Sequence, residues 1–260
     1  YFRVCCLRGV YQVAGAARGD EEQSERAHGV LFGAVALCGA ERATILADSM
    51  ASSSAHAHLH AIDALIGTHS CRHVFFDVGA NIGVQTRKLF QPAQYPAASF
   101  VKLFRSQFGS SDKDLCRVCA ILIEPNPHHA PRLQRLQSEL KAAGAAMLVI
   151  HAAVGTSDGG HVPFHTTKAG GTDAWEDVAA TTSGVWRGMQ VRGYKWNKLN
   201  ATVEVPVIDL AQLVLRARSS LIAVNSTKGR DDSRIVMKLD IEASECARRS
   251  TLVSWTHELT

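Results

Sequence analysis

From His73 onward the chain alternates short apolar runs with longer amphipathic stretches, whereas the residues before it alternate polar clusters with Ala-rich segments. Val74 to Val78 (VFFDV), Cys119 to Glu124 (CAILIE), Ala146 to Val154 and Arg234 to Ile241 (RIVMKLDI) are the strongest apolar runs. Runs of that length without alternation mark strands covered on both faces, as in a parallel sheet. Between them the pattern predicts helices beginning at Ile82 to Phe90, over Ala130 to Ala143, with Leu133, Leu136 and Leu140 on one face, and over Asp209 to Arg218. His161 to His165, Trp186 to Val191 and Thr202 to Val207 predict short β segments of an antiparallel excursion, and Ser226 to Ser233 a loop. Strands separated by helices in this order predict an α/β domain.

One domain with an N-terminal extension follows: a helical extension over residues 1–70, its last helix running from about Arg42 to Ile66, and the domain itself over 71–260. The stretch Gln91 to Cys116, with its Gly-Ser-Ser-Asp-Lys-Asp turn chemistry, separates the first helix from the second strand and is expected to be a surface insertion. Only 19 residues follow Ile241, whereas a doubly wound sheet continues with further strands. The C-terminal strands are therefore expected to be missing.

Bulk composition narrows the classes. Hydrophobic residues at 46% and charged residues at 20% are ordinary for a folded domain, and the net charge of +4 is spread along the chain. Nothing in that distribution predicts nucleic-acid binding. Seven cysteines do not form a secreted disulfide framework, so reduced thiols are expected. Cys116-Arg-Val-Cys119 has redox or zinc spacing but lacks a second ligand pair, and His56, His58 and His60 read as a solvated helix face; no metal is expected. Gly29 to Ala40 is apolar for 12 residues, too short for a transmembrane helix. Asn200-Ala-Thr202 and Asn225-Ser-Thr227 are glycosylation sequons that matter only on the secretory route, and the sequence assigns no compartment.

Three places carry chemistry. Phe76-Asp77-Val78-Gly79-Ala80-Asn81-Ile82-Gly83 is a strand that ends in a carboxylate and turns through Gly-x-Asn-x-Gly into a helix. The glycines permit tight turning, and the carboxylate suits a ligand bearing an ammonium or hydroxyl group rather than a pyrophosphate, which it would repel. Glu124 ends the next strand, where a carboxylate accepts ribose hydroxyls. Lys238, Asp240 and Glu242 fall on one face at the exit of the last core strand, at the sheet edge where open α/β folds bind ligands.

The ordered segments FFDVGANIGVQT, LIEPNPHHAPRL, HAAVGTSDGG, VEVPVIDL and VMKLDIEASE resemble the FkbM-type methyltransferase family over about His73 to Glu245. The resemblance implies a Rossmann-like methyltransferase sheet, S-adenosylmethionine as cofactor, and methyl transfer to a hydroxyl of a sugar, lipid or secondary metabolite. It implies that Asp77, Gly79, Asn81 and Gly83 surround the methionine part of the cofactor, that Glu124 holds the ribose, and that Ala153 lies near the adenine. Lys238, Asp240 and Glu242 would line the reaction side. The chain departs from the family pattern at Ala243, where the family has Gly, and over Ala247 to Thr260. A methyltransferase-like binding protein without activity is an alternative, and a nicotinamide oxidoreductase is disfavoured because the loop lacks Gly-x-Gly-x-x-Gly.

Overall fold

Every residue of the apolar runs at 73–78 and 118–123 is buried, so these runs form central strands. The computed structural model describes residues 54–156, 159–167, 190–191, 194–195, 199–226 and 233–240. In chain order the elements are α1 (Ser54–His69), β1 (His73–Val78), α2 (Val84–Phe90), α3 (Ser99–Phe108), α4 (Asp112–Leu115), β2 (Val118–Ile123), α5 (Ala130–Ala142), β3 (Ala146–Ile150), β4 (Ala153–Gly155), β5 (His161–Thr167), β6 (Gln190–Val191), β7 (Tyr194–Lys195), β8 (Leu199–Asp209), α6 (Leu210–Asn225) and β9 (Arg234–Leu239). The main sheet has the order β3-β2-β1-β9, with all pairs parallel. This is an α/β fold with a parallel central sheet, compatible with a Rossmann-like architecture.

Alternation along β1 and β2 divides the core in two. Val74, Phe76, Val78, Cys119, Ile121 and Ile123 face one side, where Ile62, Leu65 and Ile66 of α1 and Leu213, Ala217 and Leu221 of α6 cover them. Phe75, Val118, Ala120 and Leu122 face the other side, against Leu89 and Phe90 of α2, Phe104 and Phe108 of α3, and Leu133, Leu136 and Leu140 of α5. The described end of the N-terminal extension is thus one of the layers over the sheet. Asp63 of α1 pairs with Arg216 of α6 and accepts from Ser220 Oγ at 2.5 Å, tying the two helices of that layer together.

The stretch 91–116 differs from the surface insertion expected. It contains α3 and α4, and Val101, Phe104, Phe108 and Leu115 are buried. Phe100, Phe104 and Phe108 recur every four residues, a helical stripe that the turn-rich segment beside it obscured in the sequence. Phe104 meets Phe75 edge to face at 4.9 Å between ring centroids. Each such buried side chain contributes about 1.5–3 kcal/mol, so the segment is part of the core.

The expected third strand breaks into β3 and β4 at His151 and Ala152, and β4 joins a second sheet of order β4-β8-β5. There β8 pairs antiparallel with β5, as the excursion predicted. The helix beginning at Asp209 extends to Asn225, and the Asp209 side chain caps it by accepting from the N–H of Ala211 and of Gln212. Asn225 is buried and donates its amide to the carbonyl oxygens of Cys71 and Leu221, so the folded chain does not present this sequon for modification. Against the reduced thiols expected, Cys71 and Cys119 are paired as a disulfide with Cα atoms 5.9 Å apart. The Cys-x-x-Cys spacing is therefore not a self-contained pair.

Candidate functional site

Because the four strands of the main sheet are parallel and in register, their carboxyl ends share one edge, with Val78 beside Ile123 and Leu239, and Ile123 beside Ile150. Ligands of open α/β sheets bind outside such an edge. Asp77, the last but one residue of β1, is fully buried there. Its Oδ2 accepts from Thr86 Oγ1 of α2 at 3.0 Å. The sheet register puts Lys238 directly beside it, and Lys238 Nζ lies 3.5 Å from Asp77 Oδ1. Burial pushes the Asp77 carboxyl above the usual carboxylate range, with the Lys238 charge and the Thr86 bond opposing it. Among the described residues, Asp77 Oδ1 and Asn81 Oδ1 are buried acceptors without a hydrogen bond.

The loop after β1 turns on left-handed backbone at Gly79 (φ 69°), Asn81 (φ 54°) and Gly83 (φ 80°). Its N–H groups are turned inward: Gly79 and Ala80 donate to Ile123 O, Gly83 donates to Ala80 O, and Asn81 donates to Glu124 Oε2 at 2.7 Å. A loop built to hold pyrophosphate directs such donors at the ligand. Here they are spent on the protein, and the loop offers acceptors instead. Gly83 has a separate reason to be glycine, since a Cβ there would strike Leu136 and approach Leu133 to 3.2 Å. The absence of a Cβ lets α2 pack closely on α5.

Glu124 follows β2 and is 6% exposed. Besides the Asn81 bond at Oε2, its Oε1 accepts from the Asn126 N–H at 2.9 Å, and His129 Nδ1 lies 3.5 Å from Oε1. One carboxylate therefore joins the loop after β1 to the loop after β2. His151, at the tip of β3, has its imidazole pKa lowered by burial, against an opposing hydrogen bond to the Glu124 main chain and the Glu124 charge. Ala153 opens β4 and is buried against Phe164 and Val205.

Lys238 Nζ donates to Gly79 O at 2.6 Å and lies 3.5 Å from Asp240 Oδ2 as well as from Asp77. The period-two expectation for Lys238 and Asp240 agrees with this contact, but Lys238 bridges toward the glycine loop and only Asp240 stands at the mouth, with its side chain 55% exposed. Glu242 lies outside the described residues, as does Ala243. The structure brings Asp77, Gly79, Asn81, Glu124, Lys238 and Asp240 to one crevice. It adds Thr86, Asn126, His129 and His151, which sequence patterning did not single out. Their one signal was position, since each lies within a helical turn or strand end of a residue that was.

The donor set has a definite chemistry: buried carboxylate and amide oxygens beside Gly79 O, one ammonium from Lys238, and a second carboxylate one strand away. Such a set fits a ligand with a positive group and hydroxyls, and fits a phosphate poorly. No helix among the described residues is long and apolar enough to cross a membrane. Comparison with family models, curated proteins and solved structures found no match.

Proposed function

We propose that the crevice binds S-adenosylmethionine and that the chain is an O-methyltransferase of the FkbM type, acting on a hydroxyl of a sugar, lipid or secondary metabolite. The observation that supports this reading is the inward use of the loop's N–H groups together with two buried acceptors that lack a hydrogen bond, Asp77 Oδ1, which is ion-paired with Lys238, and Asn81 Oδ1. An amino-acid end meets both signs there: acceptors for its ammonium from Asp77 and Asn81, and an ammonium from Lys238 for its carboxylate. Glu124, at the neighbouring strand tip, accepts from ribose hydroxyl groups.

When bound, S-adenosylmethionine supplies a methyl group on a positively charged sulfur. The residues of the chain align the acceptor and manage its proton. Asp240 stands at the exposed end of β9, 3.5 Å from Lys238 Nζ. As the acceptor oxygen gains the methyl group it loses its hydrogen, and the Asp240 carboxylate takes that proton and releases it to water. Holding the oxygen in line with the methyl group is the larger part of the work, since good alignment is worth up to about 7–11 kcal/mol of barrier.

Calorimetric titration with S-adenosylhomocysteine and, separately, with NADH tests the proposal. Saturable binding of the first and none of the second is expected. NADH binding in the absence of S-adenosylhomocysteine binding overturns it. Binding without methyl transfer across a panel of hydroxyl acceptors would leave a binding protein rather than an enzyme.

A further inference from the structure

Among the described residues β9 is an edge strand, paired with β1 on one side only. The Asp240 N–H donates to Val78 O at 3.0 Å and the Arg234 N–H to His73 Nδ1 at 3.1 Å, so the main-chain groups of the even-numbered residues point into the sheet. Those of Ile235, Met237 and Leu239 point the other way. Open edges of this kind template pairing with another strand unless charge, proline or a bulge blunts them. None of these blunts β9: it pairs with β1 without a register shift, it holds no proline, and the charge nearest its middle, Lys238, is turned to Gly79 O. Met237, at the centre of this largely apolar strand, is 37% exposed.

We infer that β9 is the contact between two copies of this chain, which join their edges antiparallel about a two-fold axis at Met237 and form one continuous sheet. The strand is self-complementary in that register. Met237 meets Met237 of the partner subunit, Ile235 meets Leu239 of the partner subunit, and the outward N–H and C=O groups of both strands all find partners. Arg234 stands directly opposite Asp240 of the partner subunit, in a non-hydrogen-bonded pair, the kind whose side chains approach most closely. Both are exposed in the single chain, Asp240 to 55% at its side chain. Arg234 holds Gln107 O through Nη1, which leaves the rest of its donor fork for a carboxylate. A slip of one residue sets outward main-chain groups against inward ones. A slip of two sets Arg234 against Lys238 of the partner subunit in one direction, and the two Lys238 residues against each other in the other direction. Like charges directly opposed across strands are destabilising, so the charges select one register. Isologous pairing closes on itself, because it consumes the open edge of each copy. It also brings Arg234 of the partner subunit to the mouth of the crevice, beside Asp240. The dimer does not depend on which ligand the crevice takes.

Sedimentation velocity of the full chain, from low to high micromolar concentration, should show a monomer–dimer equilibrium. Met237→Pro removes one outward N–H, a change that a free edge tolerates, and should shift the equilibrium to monomer with the fold intact. Arg234→Asp and Asp240→Arg each oppose like charges twice by symmetry, and each alone should dimerise about tenfold more weakly, the scale of two surface ion pairs. Mixing these two variants restores both opposite-charge pairs, and a heterodimer of near wild-type affinity is expected. An edge covered by another segment of the same chain gives no such rescue. A monomer at every concentration, a dimer that Met237→Pro leaves unchanged, or a mixture that associates no better than its components each overturns the inference. If a variant does not fold, amide hydrogen exchange on the wild type decides. The amides of Ile235, Met237 and Leu239 are expected to be protected in concentrated protein and to exchange on dilution. Protection that does not change with concentration, or no protection at all, overturns the inference.

Discussion

Replacing Asp77 with Asn should stabilise the fold at neutral pH while weakening the ligand site. Attraction and desolvation oppose each other at this carboxylate. Lys238 Nζ at 3.5 Å attracts it, by about 5 kcal/mol at an effective dielectric of about 20. Full burial withdraws it from water, at several kcal/mol per ion. Its pKa is raised, so burial outweighs the attraction. A raised native pKa means that the folded chain holds this proton more tightly than the unfolded one, whose carboxyl titrates near about 3.9. The favourable contribution of Asp77 is then complete below that value and is lost as pH rises through the native pKa. Where the carboxyl would otherwise ionise it carries a burial cost that the neutral Asn amide does not share. Asn also keeps an oxygen for Thr86 Oγ1. The lysine left behind retains Gly79 O at 2.6 Å and Asp240 at 3.5 Å, so the penalty usual for an orphaned buried charge does not arise. The gain should be about 0.5–2 kcal/mol, the range typical of relieving a functional residue, and each kcal/mol raises Tm by about 2–4 °C at this size. Thermal melts of both proteins from pH 8 down to pH 4 measure it. The advantage of Asp77→Asn should be greatest at high pH and shrink as acid protonates the wild type. Calorimetry should show S-adenosylhomocysteine affinity reduced about tenfold or more. A variant that melts below the wild type at pH 7, or an advantage that grows with acid, would refute the dominance of burial.

Glu124→Ala deletes both the loop-to-loop bonds and the ligand acceptor; S-adenosylhomocysteine binding should weaken by about tenfold or more, and amide exchange in residues 79–83 should speed up. Gly83→Ala places a Cβ against Leu136 on left-handed backbone, so denaturant unfolding should report a loss of about 2 kcal/mol or more; an unchanged midpoint would remove the packing explanation. Asp240→Asn should leave S-adenosylhomocysteine affinity within a fewfold and cut turnover on an identified acceptor by about 10², and near-normal turnover would show that this carboxylate does not handle the proton.

How far the sequence could be read depended on whether a residue's partner was local. The strands at 73–78 and 118–123 were legible because both faces are apolar, and α5 because Leu133, Leu136 and Leu140 mark its buried face. The helix at 99–108 was not, since its Phe stripe is short and is followed by a turn-rich segment, and its burial depends on Phe75, which is distant in sequence. The same holds within the crevice. Asp77 and Glu124 announced themselves as carboxylates at strand tips. That Lys238 would turn toward Gly79, and that His129 would sit against Glu124, depended on the register of β9 with β1 and on the turn through Pro127. The pattern of residues marked the ends of the strands, and tertiary packing decided which atoms met between them.

The double attachment of Glu124, to Asn81 on one loop and Asn126 on the other, also bears on how such a site changes over generations. A residue that only touched its ligand could drift as the preferred ligand drifted. Here any replacement loosens the joint between two loops at the same moment as it alters the proposed recognition, so selection for fold integrity holds this end of the site constant. Asp240, half exposed and bonded to the frame through its main-chain N–H to Val78 O, carries no such double duty. On the function proposed above, diversification is expected to fall at the exposed end of β9, with acceptor choice free to vary while the site around Glu124 stays constant.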